Sequence, residues 1–149
     1  MEQDIFYMNQ ALNLAQKAFE KKEVPVGALI VKEGQILAEA FNQRENQQNP
    51  LGHAELIALQ QASQKISSWR LEKCTLYVTL EPCLMCLGAI LQSRISRLVY
   101  GCEDFKTGFD SFYQLTKYPQ WNSKLKLASG LQKEKCSEIL SQFFKTLRT

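Results

Sequence analysis

Four residues have the types and spacing to do chemistry: His53, Glu55, Cys83 and Cys86. Cys83 and Cys86 open an apolar run, Cys83-Leu-Met-Cys-Leu-Gly-Ala-Ile90, directly after Glu81-Pro82. Pro is suited to the first turn of a helix, and a three-residue step places both thiols on one face of that turn. Unpaired backbone N–H groups and the positive end of the helix dipole lie there. Both favour thiolate, the form that binds metal. His53 is the only histidine of the chain. Imidazole and two thiolates make three zinc ligands, and three protein ligands with the fourth position left to water is the catalytic arrangement. A bland reading makes His53 an ordinary surface or core histidine. A closed structural site would need a fourth sulfur from Cys74, Cys102 or Cys136, none of which stands at a local metal-ligand spacing.

Glu55 follows His53 by two residues, about 200° around a helix. Both reach one point only where the chain enters the helix. There Glu55 stands beside a metal-site water without ligating the metal, and it is the natural proton carrier. Its alternative role is a first-turn acid on the helix dipole. Thiol redox chemistry at Cys83 and Cys86 is a further reading, but it leaves Pro82 and the His-x-Glu unexplained.

The elements around these residues follow from periodicity and turn signals. Asp4 to about Lys22 reads as a helix with Ile5, Met8, Leu12, Ala15 and Phe19 on one stripe. Val26–Val31 is a buried strand, Glu33-Gly34 a tight turn, and Gln35–Phe41 the returning strand. Asn42–Pro50 is a polar loop, and Ala54 to about Lys65 a helix with Leu56, Leu59 and Ala62 inward. Cys74–Thr79 is the third strand, followed by the cysteine helix to Ser93 and a fourth strand over Arg97–Gly101. A short helix over Phe112–Thr116, an edge strand over Leu125–Ala128 and a last amphipathic helix from Leu131 complete the chain. The order α-β-β-α-β-α-β-α-β-α predicts an α/β fold: a three-layer α/β/α sandwich around one central mixed five-stranded sheet.

Composition agrees with a folded enzyme-sized unit. At 149 residues, 45% hydrophobic and 22% charged, one domain spanning 1–149 is expected. No apolar run approaches the ~20 residues that cross a bilayer. The acidic start Met-Glu-Gln-Asp-Ile does not resemble a secretory signal. Five cysteines, two of them in a Cys-x-x-Cys, suit a reducing compartment, and a cytoplasmic location is expected. The net charge of +3 is too mild to identify a nucleic-acid binder, although residues 124–149 carry six cations against two acids.

His-x-Glu followed by Pro-Cys-x-x-Cys is the zinc deaminase signature. With it stand Glu23-Val-Pro-Val-Gly-Ala28, Asn42, Thr75-Leu-Tyr-Val-Thr-Leu-Glu-Pro-Cys-Leu-Met-Cys86, Gly88-Ala89, Ser93-Arg-Ile95, Asp104, Lys106-Thr-Gly108 and Leu140-Ser-x-Phe-Phe144. Across nearly its whole length the chain resembles the bacterial tRNA-specific adenosine deaminases of the cytidine-deaminase-like superfamily. The resemblance implies one Zn2+ per chain on His53, Cys83 and Cys86, and Glu55 as catalytic proton carrier. It implies substrate contacts from Asn42, Val26, Ala54, Asp104, Lys106 and Thr107, with the Leu80-Glu81 backbone orienting water. It further implies a tRNA anticodon stem-loop as partner, conversion of adenosine to inosine at wobble position 34 of an arginine tRNA, and a homodimer. A deaminase of a free nucleobase or nucleoside of the guanine or cytosine type shares the zinc motif, and a non-catalytic zinc-stabilised RNA-binding module is the reading from another class. Three positions depart from the family pattern: Leu51, Phe105 and Gly52, the last of which adds backbone freedom beside a ligand. Phe109 and Phe112 are assigned to core packing in preference to base stacking.

Overall fold

The computed structural model describes residues 2–121 and 124–148. Met1 and Thr149, the ends of the expected 1–149 domain, lie outside the described residues, as do Asn122 and Ser123. The elements are α1 (Glu2–Glu20), β1 (Gly27–Lys32), β2 (Gln35–Phe41), α2 (Arg44–Gln47), α3 (Ala54–Ile66), β3 (Cys74–Leu80), α4 (Leu84–Gln92), β4 (Arg97–Cys102), a 3-10 turn over Leu115–Lys117, β5 (Lys126–Ser129) and α5 (Lys133–Leu147).

The five strands form one mixed sheet in the order β2-β1-β3-β4-β5. β1 runs antiparallel to both β2 and β3, whereas β3, β4 and β5 are parallel. Alternate residues of the central strands go to opposite faces. Ala28, Ile30, Leu76, Val78, Leu98 and Tyr100 pack beneath α3 and α4, while Leu29, Val31, Tyr77 and Val99 pack beneath α1 and α5. Both faces of the sheet are therefore buried, which is why these strands read as continuous apolar runs and not as alternating ones. The result is the expected α/β/α sandwich around one mixed five-stranded sheet. The Glu33-Gly34 turn has φ of 50° and 76°, the left-handed pair that closes a two-residue hairpin.

Three local expectations change. The inner stripe of α1 is centred on Met8, Ala11, Leu14, Ala15 and Ala18. Ile5 is 38% exposed and Leu12 and Phe19 are half-buried, because a row of small alanines lets the helix lie closer to the sheet than the larger residues would. The polar stretch 42–50 contains a one-turn helix, α2. Phe112 and Tyr113 lie in a turn, where single bonds reach back from Phe112 N–H to the Gly108 carbonyl and from Gln114 N–H to the Asp110 carbonyl, and the only helical element here is the 3-10 turn over Leu115–Lys117.

The parallel pair β3–β4 places the ends of its strands, and the starts of α3 and α4, at one edge of the sheet. In open α/β sheets that carboxyl edge is where loops converge on a ligand.

Candidate active site

His53 and Cys83 occupy equivalent positions. Each has extended backbone just before a helix, His53 (φ −80°, ψ 145°) ahead of α3 and Cys83 (φ −77°, ψ 176°) ahead of α4. Their carbonyls accept the first helical hydrogen bonds, from Ile57 N–H at 3.1 Å and Leu87 N–H at 2.9 Å. Cys86 lies one turn into α4 and is fully buried. The two helix starts face each other, so that His53 Nδ1 is 3.7 Å from Cys83 Sγ and 3.4 Å from Cys86 Sγ. All three donor atoms lie within 4.8 Å of one another.

Around a tetrahedral zinc, with bonds of about 2.0 Å to nitrogen and about 2.3 Å to sulfur, nitrogen and sulfur stand roughly 3.6 Å apart. The observed nitrogen–sulfur distances of 3.4 and 3.7 Å bracket that value, so the donor set fits such an ion in both chemistry and spacing. No other group of three such side chains is found among the described residues.

With no metal between them, the three donors divide their protons unequally. Cys83 is pulled down to about 4, first by its hydrogen bond with Cys86 and also by His53. Cys86 is pushed up by that contact and by burial. The imidazole of His53 is raised, chiefly by the Cys83 sulfur beside it. Thiols and imidazole so placed release their protons to a divalent cation. Glu55 sits in the first turn of α3, 5% exposed, and burial pushes its carboxyl up to about 7. A carboxyl near neutrality exchanges protons in both directions at working pH.

His53, Glu55 and Cys83 line a cleft of about 590 Å³. Val26, Asn42, Ala54, Asp104, Lys106 and Thr107 line the same cleft. Every residue assigned from the sequence to metal, proton transfer or substrate thus lines one cavity, except Cys86, whose Sγ is 3.4 Å from His53 Nδ1. Asn42 is fixed by donating from Nδ2 to the Val24 carbonyl at 3.3 Å and accepting Arg44 N–H at Oδ1 at 3.2 Å. Asp104 closes its own turn, accepting from Lys106 N–H and Thr107 N–H at 3.0 Å each and from the Thr107 hydroxyl at 2.7 Å.

Two buried carboxylates anchor the loops on either side. Glu23, fully buried, accepts Glu45 N–H at 3.0 Å and both Asn46 N–H and Asn46 Nδ2 at 2.6 Å, holding α2 in place. Glu81, 2% exposed, accepts Asp104 N–H at 3.0 Å, Asp110 N–H at 2.8 Å and Ser111 N–H at 2.9 Å. Gly108 completes this second anchor, because a Cβ there would collide with the Asp104 carbonyl and the Glu81 carboxylate. Neither glutamate is marked by local spacing, since the amides they hold lie 22 to 30 residues away. The only sequence signal was their place inside the Glu-Val-Pro-Val-Gly-Ala and Glu-Pro-Cys motifs.

Gly52 acts through space and not through backbone freedom. A Cβ there would stand 3.1 Å from the Arg44 Cα, the Arg44 nitrogen and the Asn49 carbonyl, so its bareness lets the α2 loop close tightly before His53. Leu140 and Phe144 of α5, together with Phe105, add an apolar rim that the sequence reading did not assign to the site. Phe109 is fully buried in the core, as expected, whereas Phe112 is 51% exposed and packs edge-on against Tyr113.

Comparison with known proteins places this geometry in context. The family model for MafB19-like deaminases matches residues 2–148. A tRNA-specific adenosine deaminase of Bacillus subtilis (strain 168) is 44% identical over 99% of this chain and 92% of its own length. One from Aquifex aeolicus (strain VF5) is 43% identical over 96% of this chain and 95% of its own. Among solved structures, one from a study of A-to-I editing by tRNA:A34 deaminases superposes with a TM-score of 0.85 at 36% identity, covering 90% of this chain and 98% of that one. A guanine deaminase from Nitrosomonas europaea shares the fold, with a TM-score of 0.78 at 20% identity over 91% of this chain and 81% of that one.

Proposed function

The chain belongs to the deaminase family that includes the tRNA-specific adenosine deaminases, and from that premise we propose that it hydrolyses adenosine to inosine at wobble position 34 of an arginine tRNA, using one zinc ion per chain. The observation that carries this reading is the buried Glu55 carboxyl beside the His53, Cys83 and Cys86 donors, in a cleft of about 590 Å³.

His53, Cys83 and Cys86 would hold the zinc. When bound there, zinc acidifies water so that hydroxide is available near neutral pH. Glu55 takes the proton of the attacking water and delivers it to N1 of the adenine ring. As the C6–oxygen bond forms C6 becomes tetrahedral; the same carboxyl then takes the second proton from the new C6 hydroxyl and passes it to the amino nitrogen, so that the C6–N6 bond breaks, ammonia leaves and the C6 carbonyl of inosine remains. Its elevated proton affinity matches both halves of that exchange. Val26 and Ala54 shape the wall around the base, and Asn42 offers a fixed amide to the nucleoside. Asp104, Lys106 and Thr107 border the RNA. A loop nucleotide suits the cleft because it leaves its stack at modest cost.

Residues 1–149 act as one deaminase domain in this reading, in the cytoplasm where tRNA is modified. No helix among the described residues is long and apolar enough to cross a membrane. The chain is also proposed to be a homodimer. Leu87 and Ile90 of α4 are buried within the chain, but Leu84 and Met85 are 42% and 37% exposed, and Trp69 beside the α3–α4 groove is 56% exposed. In the proposed dimer a second copy would cover these exposed apolar side chains.

The deciding experiment incubates purified, zinc-loaded protein with an arginine tRNA transcript bearing an ACG anticodon and sequences the product. A-to-G readout confined to position 34 is expected. The shared fold with a guanine deaminase keeps a free-base substrate as the second reading. Ammonia release from free bases or nucleosides, with the tRNA unchanged, would establish it instead.

A further inference from the structure

Phe105 stands at the tip of the turn that borders the cleft and is 68% exposed, more than any other large apolar residue among those described. That exposure does not come from a loose loop. Asp104 ahead of it is tied to Glu81, and Lys106 and Thr107 behind it are tied to Asp104 through backbone N–H groups. The fold therefore holds a bare aromatic ring at the mouth of its catalytic cavity. The neighbouring rings are otherwise engaged: Phe109 with Tyr100 and Trp121, Phe112 with Tyr113, and Phe144 with Phe143. Among the described residues no ring or cation is stacked on Phe105.

We propose that Phe105 is a stacking platform for the nucleobase adjacent to the target adenosine in the RNA loop. The inference rests on the tRNA reading and deepens it. Drawing one base down to Glu55 separates it from its neighbours and leaves a flanking base with an uncovered face. A fixed aromatic ring at the rim covers such a face whatever the base, because every base has a π-face. The cationic side chains of Lys106 and Arg44 line the same cleft, where the phosphates joining the two nucleotides must pass.

The test uses zinc-loaded protein and an anticodon stem-loop carrying 2-aminopurine on the 5′ or the 3′ side of the target, alongside the unmodified stem-loop. Wild type and Phe105→Tyr are expected to quench the fluorescence of one of the two probes on binding, and Phe105→Ala and Phe105→Leu to leave it unquenched. For the unmodified RNA, Phe105→Ala is expected to raise KM about tenfold with kcat within about twofold, the size of one lost stacking contact. Phe112→Ala, an exposed ring outside the cleft, controls for surface change and should match wild type. If wild type edits the stem-loop while Phe105→Ala matches it in KM and quenching, this inference alone is overturned. Phe105→Leu behaving as wild type overturns stacking in favour of apolar filling. A shift in oligomeric state on Phe105→Ala without a change in quenching overturns it in favour of a second copy. Wild type that leaves the stem-loop unedited overturns the functional reading and this inference together.

Discussion

His53 Nδ1 and Cys86 Sγ, 33 residues apart in sequence, stand 3.4 Å from each other across the starts of two helices. Replacing either donor breaks the three-ligand set. Cys86→Ser and His53→Ala are each expected to reduce zinc well below one per chain by elemental analysis and to abolish deamination. Because imidazole and thiolates hold metal only when deprotonated, acidification well below pH 5 should release zinc and activity together. Retention of both under acid would refute the assignment.

Glu55 is expected to separate chemistry from structure. Glu55→Gln should keep stoichiometric zinc and a cooperative thermal transition, while deamination falls by about 10² to 10⁴, the range for loss of a positioned proton carrier. An equal loss of zinc would make Glu55 a ligand or a structural acid.

The Glu81 carboxylate predicts a coupled loss of stability and substrate binding. It accepts three backbone N–H bonds while 2% exposed. An amide in its place turns an NH2 toward groups that are themselves donors. Glu81→Gln should cost about 2–3 kcal/mol in urea unfolding, in line with buried hydrogen bonds to a charged group, and should raise KM for RNA as the 104–111 loop loosens. A change under about 0.5 kcal/mol would show that the loop is held by other contacts.

On the far edge of the sheet, Asp4 makes a paired contact with Arg97, at 2.9 and 2.7 Å, and accepts the Tyr77 hydroxyl at 2.6 Å. The Arg97 hydrogen bonds, before any other influence, hold its carboxyl down at about 2 against an ordinary value of 3.8. Its folded-state value lies below the unfolded one, so its contribution is complete above about pH 4 and disappears as pH falls through about 2. With Arg97 partly exposed, the contribution is about 1 kcal/mol after solvent screening. Arg97→Gln should lower stability by that amount at neutral pH and flatten the stability profile between pH 4 and pH 2. An unchanged acid limb would refute the pairing.

The grouping of His53, Glu55, Cys83 and Cys86 was legible in the sequence because it is written in short range. His53-Ala-Glu55 and Pro82-Cys-x-x-Cys86 each lie within one strand-to-helix or loop-to-helix turn, so their spacing reports their geometry directly. The doubly buried strands were legible for a similar reason, as apolar runs bounded by turns. What escaped was long-range. α2 has a polar sequence with no apolar stripe, and its amides are satisfied by Glu23, 22 residues before. The α1 stripe was misplaced because alanines, weak in a hydrophobicity pattern, pack closest. Gly52 was read as freedom of the chain, when it is the nearness of Arg44 that its missing side chain permits.

Glu23 and Glu81 grip their loops through main-chain amides, which every residue but proline supplies alike. Asn46 and Gly108 apart, the grip does not depend on which side chains those loops carry. Most side chains at the rim of the cleft can therefore differ without loosening the loops that carry them, whereas a change at either carboxylate releases several amides at once. In this architecture the surface that meets a ligand and the frame that holds it can vary separately.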